Sequence, residues 1–252
     1  GNVLSLPLRP DKNFIPDLQM MSKEIWPKPK VMIFNFPHNP TTATVDISFF
    51  EEIVDFARRQ EIIVIHDMAY SDIAYDGFKV PSLLQVKGAK EVGVEFYTMS
   101  KSYNMAGWRV GFCLGNPEVI KALAIIKNYY DYGVFTPIQV AAIAALDGPQ
   151  DCVREATAMY QGRRDTLVDG LNRIGWSVNS PKASMFVWAE IPEAHRHLGS
   201  MNFALKLMEE AEIAVAPGIG FGDQGEGYVR ISLVENEHRI RQAVRNIKRS
   251  LF

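Results

Sequence analysis

Thr98-Met99-Ser100-Lys101-Ser102-Tyr103-Asn104-Met105-Ala106-Gly107-Trp108-Arg109-Val110-Gly111 is the stretch on which the fold and the chemistry turn. It follows Val94-Glu95-Phe96-Tyr97, an apolar run that reads as a strand. A lysine flanked by hydroxyls at a strand end, with an arginine eight residues later, suits one chemistry well. The amine can condense with an aldehyde, while Thr98, Ser100 and Arg109 can hold a phosphate. The plainer reading is a solvated lysine and a structural arginine, and this stretch alone leaves both open.

Working outward, the first half alternates strand and helix signals. Val31 to Phe36 is a short apolar run stopped by Pro37 and Pro40. Ile47, Phe49, Phe50, Ile53, Val54 and Ala57 fall at helical spacing, with Asp46 or Ser48 as caps and Glu51 placed for a capping box with Ser48. Ile62-Ile63-Val64-Ile65 lacks alternation, as a parallel strand covered on both faces does. Residues 108 to 114 read as a further strand. The rhythm predicts a doubly wound α/β sheet. Helix signals then run from Pro117 to about Gly175, broken at Gly148-Pro149. After that the pattern becomes α+β. Strand-like segments sit at 176–178, 185–188, 213–215 and 228–233, with helices at 203–211 and at the C-terminus. The expected organisation is a large α/β domain over 1–147 and a smaller α+β domain over 148–252.

Bulk properties narrow the function classes. The 252 residues are 47% hydrophobic and 22% charged, with net charge −2. That is an ordinary globular composition, large enough for one big core or two smaller ones. Arg239, Arg241, Arg245, Lys248 and Arg249 read as the solvated face of a last helix, so no nucleic-acid partner is expected. No apolar run reaches the roughly 18 residues of a membrane span, and no signal peptide is read. Cys113 and Cys152 have neither metal spacing nor a disulfide framework, so no metal is expected and a reducing cytoplasm fits. A start inside a longer protein would explain a chain that begins at Gly1.

In open α/β sheets, ligands sit outside the carboxyl ends of the strands. His38-Asn39-Pro40-Thr41 follows the first strand, His66-Asp67-Met68-Ala69-Tyr70 the second and Ser100-Lys101 the third. Around a phosphorylated pyridine aldehyde each has a task. Asp67 can keep the ring nitrogen protonated, and Asn39 and Tyr70 can donate to the ring oxygen. Lys101 can take the aldehyde and later carry a proton as a free amine. Arg109 can clamp the phosphate as a two-pronged donor. Taken singly, Asn39-Pro40 is a turn, Asp67 a helix cap and Tyr70 packing.

Together, Asn39-Pro40-Thr41, Asp67-Met68-Ala69-Tyr70, Ser100-Lys101 and Arg109-Val110-Gly111 resemble the class I/II aminotransferases, the fold type I pyridoxal-phosphate enzymes. Val215 to Gly222 and Tyr228-Val229-Arg230-Ile231-Ser232 are similar to that family's small domain. The resemblance implies a homodimer that binds pyridoxal 5'-phosphate and works on amino-acid and 2-oxo-acid substrates. It implies Lys101 as the cofactor lysine and Asp67 as the ring-nitrogen partner. Asn39 and Tyr70 become the ring-oxygen partners, with Asn39 also at the substrate. Thr98, Ser100 and Arg109 become the phosphate contacts. Arg230 would bind the substrate carboxylate, since a guanidinium fork matches it in shape and charge; the alternative is a surface-strand arginine.

Trp26-Pro27-Lys28-Pro29-Lys30, Ser100 to Gly111, Asp131 to Pro137 and Pro181 to Trp188 resemble one branch, the alanine-synthesising transaminases and LL-diaminopimelate aminotransferases. Alanine and 2-oxoglutarate are the expected pair. Another amino-acid aminotransferase, a carbon–sulfur lyase or the aminotransferase-like domain of a regulator are the alternatives. Tyr129 to Thr136 reads as lying near the site or the dimer seam, with core packing an equal alternative. The family chain is longer at its N-terminus. The sequence is therefore expected to be an inactive C-terminal part, lacking a glycine- and hydroxyl-rich phosphate turn and a ring-stacking aromatic.

Overall fold

The computed structural model of the chain describes residues 1–18 and 29–252. Trp26-Pro27-Lys28, part of one motif quoted above, lies outside the described residues. The chain divides into two compact units. One comprises Asp17–Pro37 and Thr44–Thr157, and the other Gly1–Pro16, His38–Ala43 and Ala158–Phe252. The division falls at Thr157, beyond Gly148-Pro149, and gives two early segments to the C-terminal unit.

In the first unit a four-stranded sheet runs β1 (Val31–Asn35), β2 (Ile63–Asp67), β3 (Gly93–Thr98) and β4 (Gly111–Gly115), in that order. β1, β2 and β3 are parallel, and β4 is antiparallel to β3. The sheet is thus mixed, and the described strands run in simple sequential order. The expected strand over 108–114 starts only at Gly111. Ala106–Trp108 forms a 3-10 turn, and Arg109 takes a left-handed φ of 52°, which an extended run cannot contain.

Helix α1 (Ile47–Gln60) buries Phe49, Phe50, Ile53, Val54, Phe56 and Ala57. It starts directly after Asp46, so Ser48 falls inside its first turn and the expected capping box does not form. Phe34 of β1 meets Phe49 and Phe50 of α1 at ring separations of 5.9 and 6.1 Å. Fully burying one such side chain is worth about 1.5–3 kcal/mol. β2 does alternate, against the expectation: Val64 and His66 are buried, while Ile63 and Ile65 are partly exposed.

His66 holds the middle of this sheet. Its Nδ1 lies 2.9 Å from Glu95 Oε2, and its Nε2 lies 3.1 Å from the Phe36 carbonyl oxygen. Both ring nitrogens therefore have a partner inside the sheet. Glu95 also accepts from Ser82 Oγ at 2.7 Å and from the Leu83 N–H at 2.8 Å.

Short helices α2 (Ala89–Val92) and α3 (Met99–Ser102) flank β3. Helix α4 (Pro117–Asp131) starts on Asn116, whose side-chain oxygen accepts the N–H groups of Glu118 and Val119. Helices α5 (Thr136–Asp147) and α6 (Asp151–Arg173) follow.

In the C-terminal unit, β5 (Phe186–Glu190), β6 (Ala216–Pro217) and β7 (Tyr228–Ser232) form an antiparallel sheet in the order β5-β7-β6. Helices α7 (Gly199–Ala211) and α8 (Glu237–Leu251) complete it. The two-residue period of a strand sorts the faces. Val187, Ala189 and Val229 enter a core with Leu167, Leu171, Phe203, Leu207, Ile240 and Ile247. The opposite face carries Phe186, Trp188, Tyr228 and Arg230.

Two expected strands are absent. Residues 176–178 form no strand: the Trp176 N–H donates to the Leu171 carbonyl at 3.0 Å, and Asn172 takes both backbone groups of Val178, its Oδ1 accepting the N–H at 2.9 Å and its Nδ2 donating to the carbonyl at 3.2 Å. Ile213 donates its N–H to the Leu207 carbonyl at 3.1 Å, closing α7, so the ladder starts only at Ala216. Among the described residues, no helix is long and apolar enough to cross a membrane.

Candidate active site

The parallel register places three strand ends side by side in the first unit: Asn35 pairs with Asp67, and Asp67 with Phe96. Asn35 Nδ2 donates to the Asp67 carbonyl at 2.9 Å, and the Met68 N–H to the Phe96 carbonyl at 3.0 Å. Asp67 is the last residue of β2, and its carboxylate accepts the Ala69 N–H at 3.1 Å. The chain then turns so that Tyr70 is buried. His66, adjacent in sequence, points to the opposite face and belongs to the core pair rather than to this edge.

Thr98 ends β3 and caps α3. Its hydroxyl accepts the Ser100 N–H at 3.2 Å and donates to Ser100 Oγ at 2.9 Å. Two hydroxyls therefore stand together at the head of the turn carrying Lys101. Among the described residues the Lys101 amine has no hydrogen-bond or ion-pair partner.

β4 brings Arg109 back to this turn. Gly111 pairs with Thr98, and the Met99 N–H donates to the Val110 carbonyl at 3.2 Å. The approach requires glycine: a Cβ at residue 111 would lie 2.5 Å from the Tyr97 carbonyl oxygen. Arg109 Nη1 donates to the Ala106 carbonyl at 2.8 Å. Six of the residues singled out in the sequence, Asp67, Tyr70, Thr98, Ser100, Lys101 and Arg109, thus come to one edge of one unit. Together they offer an amine for an aldehyde, hydroxyls and a guanidinium for a phosphate, a carboxylate for a ring nitrogen and a phenol for an oxyanion.

Asn39 and Arg230 belong to the other unit. Arg230 Nη1 donates to Asn39 Oδ1 at 2.7 Å. The guanidinium carbon lies 4.2 Å from the Phe186 ring centre and 4.7 Å from that of Phe221. An open cavity of about 570 Å³ is lined by Leu8, Phe14, His38, Asn39, Trp188 and Phe221, among others. His38 Nδ1 lies 2.7 Å from the Thr41 hydroxyl and accepts the Thr41 N–H at 3.3 Å. Burial pushes the His38 ring down to about 4, so it is neutral near pH 7.

The sequence reading missed the aromatic walls of the Arg230 pair. The signal was present in period-2 spacing, since Phe186 and Trp188 share a face of β5, and Tyr228 and Arg230 share the matching face of β7. Trp188 stacks parallel on Tyr228 at 5.2 Å. Its buried indole nitrogen has no hydrogen-bond partner among the described residues. Among those residues no cluster of His, Cys, Asp or Glu is arranged to hold a metal ion.

Known proteins share this arrangement of chain. The glutamate-pyruvate aminotransferase AlaC of Escherichia coli is 56% identical over 98% of the chain and 60% of its own length. An LL-diaminopimelate aminotransferase of Moorella thermoacetica is 45% identical, over 100% of the chain and 64% of its own. The crystal structure of an aromatic aminotransferase from Pyrococcus horikoshii superimposes with a TM-score of 0.92 at 30% identity, covering 98% of the chain and 66% of that structure. The chain thus spans somewhat under two thirds of the curated relatives it matches. Residues 1–247 match the family described as aminotransferase class I and II, and the chain belongs to that family.

Proposed function

We propose that the protein is a pyridoxal-phosphate-dependent aminotransferase that moves an amino group between alanine and a 2-oxo acid, with 2-oxoglutarate as the acceptor. The observation that carries this reading is the Lys101 amine, unpartnered among the described residues, on the same sheet edge as Asp67, Tyr70, Thr98, Ser100 and Arg109. These groups fit the cofactor: the hydroxyls and guanidinium suit its phosphate, the carboxylate its ring nitrogen and the phenol its ring oxygen. When bound, pyridoxal phosphate supplies an aldehyde for the amino group and an electron-withdrawing ring.

The chain's own groups supply the rest. Thr98, Ser100 and Arg109 would hold the phosphate. Asp67 would keep a proton on the ring nitrogen, and Tyr70 and Asn39 would donate to the ring oxygen. Arg230 would grip the substrate carboxylate with its fork, beside the rings of Phe186 and Phe221. The Lys101 amine would take the α-proton of the substrate and return it at the second carbon. The alanine assignment is supported by the 56% identity to a protein named glutamate-pyruvate aminotransferase. LL-diaminopimelate transamination is the second reading, supported by relatives of that name at 42–45% identity.

A homodimer suits the largely exposed rings of Tyr129, Tyr130, Tyr132 and Phe135. A reducing cytoplasm suits the free thiols of Cys113 and Cys152.

Borohydride reduction of the full-length protein with pyridoxal phosphate, then peptide mapping, is expected to label Lys101. Label on another lysine, or on none, would sink the reading. Steady-state assays with alanine and LL-diaminopimelate as donors would separate the two substrates. Release of pyruvate and sulfide from cysteine would instead support a lyase.

A further inference from the structure

Asp72 stands in the same run of turns as Asp67 and Tyr70. That run is fixed by the Ser71 N–H donating to the Met68 carbonyl and the Ile73 N–H to the Tyr70 carbonyl, both at 3.1 Å. The Asp72 backbone carbonyl accepts Thr157 Oγ1 at 2.8 Å, tying the turn to helix α6. Its carboxylate then reaches across to the lysine segment. Oδ2 accepts the Tyr97 hydroxyl in a short hydrogen bond and Ser102 Oγ at 2.5 Å.

The two donors are placed unevenly for a casual contact. Tyr97 immediately precedes Thr98, and Ser102 immediately follows Lys101. One carboxylate oxygen therefore holds both ends of the segment that contains Thr98, Ser100 and Lys101. The donors are themselves fixed. Tyr97 stacks on Phe112 at 4.9 Å, and Ser102 is buried. Burial, and next the hydrogen bond to Asp72, push the Tyr97 phenol well above its ordinary value, so it remains a donor at any working pH.

The segment needs such a hold. Helix α3 is four residues long, a single turn without the cooperative support that keeps longer helices in register. The lysine stem adds four freely rotating bonds. An amine that must both take an aldehyde and shuttle a proton tolerates little displacement.

We propose that Asp72 is a positioning residue for the Lys101 amine, setting its place relative to Asp67 and Tyr70 through Tyr97 and Ser102 without itself touching substrate. The proposal rests on the aminotransferase reading of Lys101. A purely structural carboxylate would affect stability alone, so the test reads the amine and the hydrogen bond separately.

In the full-length protein, Asp72→Ala is expected to slow reductive labelling of Lys101 by pyridoxal phosphate and borohydride about tenfold or more, the scale expected for a misplaced reacting group. It should lower kcat by a similar factor while KM changes less than about threefold, as for an interaction that matters in the transition state. Asp72→Asn keeps one acceptor oxygen and should recover part of both. In the cofactor-free protein, carbon-13 NMR of the tyrosine rings should show the Tyr97 phenol titrating at lower pH in Asp72→Asn than in the wild type. Should Asp72→Ala fail to fold, the double variant Tyr97→Phe with Ser102→Ala carries the test and is expected to slow labelling at least about fivefold.

Labelling and kcat within about twofold of wild type in the folded variants overturn the proposal. A wild type that carries no label at Lys101 overturns the aminotransferase reading, and the proposal with it. A labelled wild type with insensitive variants overturns the positioning role alone.

Discussion

Arg230 Nη1 donates to Asn39 Oδ1 at 2.7 Å, joining residues 191 positions apart in the chain. The bond orients a guanidinium whose carbon also lies over the rings of Phe186 and Phe221. The rings confine the guanidinium, and the hydrogen bond to Asn39 orients it. A lysine could supply the charge but neither the plane nor the second prong. Arg230→Lys is therefore expected to lower kcat/KM for an α-amino acid by about 10²- to 10³-fold, the worth of one or two charge-assisted hydrogen bonds. The same variant should act on an amine without the carboxylate nearly as the wild type does. An equal loss on both donors would show that Arg230 supports the fold and not the substrate.

His38 makes stability depend on pH. Its folded-state value is depressed to about 4, against an ordinary value near 6.5. The unfolded chain therefore binds more protons between these limits. Stability is fully present above pH 6.5 and falls as pH drops toward 4, by up to about 3 kcal/mol for a shift of this size. His38→Gln keeps an acceptor for Thr41 and removes the titration. Urea unfolding at pH 4.5, 5.5 and 7 should show a smaller loss in the variant. Parallel pH profiles in the two proteins would rule His38 out as the source.

The sequence made the sheet-edge residues legible because each lies within a few positions of a strand end. Asp67 ends β2 and Lys101 follows β3, so knowing that strands are parallel is enough to bring them to one edge. The same logic failed at β4. Trp108 to Leu114 has strand-like composition, but the left-handed conformation at Arg109 depends on the return of the chain toward Thr98, a contact made only in three dimensions. His66 shows the converse. It sits in the quoted run before Tyr70, yet the strand's alternation sends it to the core and Asp67 to the edge. Asp72 escaped notice because its partners are hydroxyls 25 and 30 residues away, a pairing no local pattern records.

Gly111 sets how closely β4 approaches β3. An alanine methyl would stand 2.5 Å from the Tyr97 carbonyl oxygen and 3.3 Å from the Thr98 Cα, both backbone atoms that cannot rotate aside. Gly111→Ala is expected to destabilise the protein by about 1–3 kcal/mol, as overpacking does. It should also push Arg109 away from the Thr98 turn. Pyridoxal phosphate affinity should then fall by about tenfold, the value of one weakened charge-assisted bond, whereas pyridoxal without the phosphate should bind as before. Fluorescence titration with both compounds separates a phosphate effect from general damage. Equal weakening of the two would assign Gly111 to the fold alone.

The buried pair of His66 and Glu95 gives a prediction with opposite signs for single and double changes. Glu95→Leu removes the partner of Nδ1 and leaves a buried ring nitrogen unpaired beside Phe34 and Phe50, at ring separations of 5.2 and 4.9 Å. Leaving a buried polar group without its hydrogen-bond partner costs about 1–3 kcal/mol. Glu95→Gln should cost less. A neutral His66 can keep its Nε2–H on the Phe36 carbonyl and accept at Nδ1 from the new amide. Replacing both residues by leucine removes the imidazole and its partner together, so the double variant should be more stable than Glu95→Leu alone. Urea melts of the four proteins close the double-mutant cycle. A double variant no more stable than Glu95→Leu would mean that packing alone holds this part of the sheet.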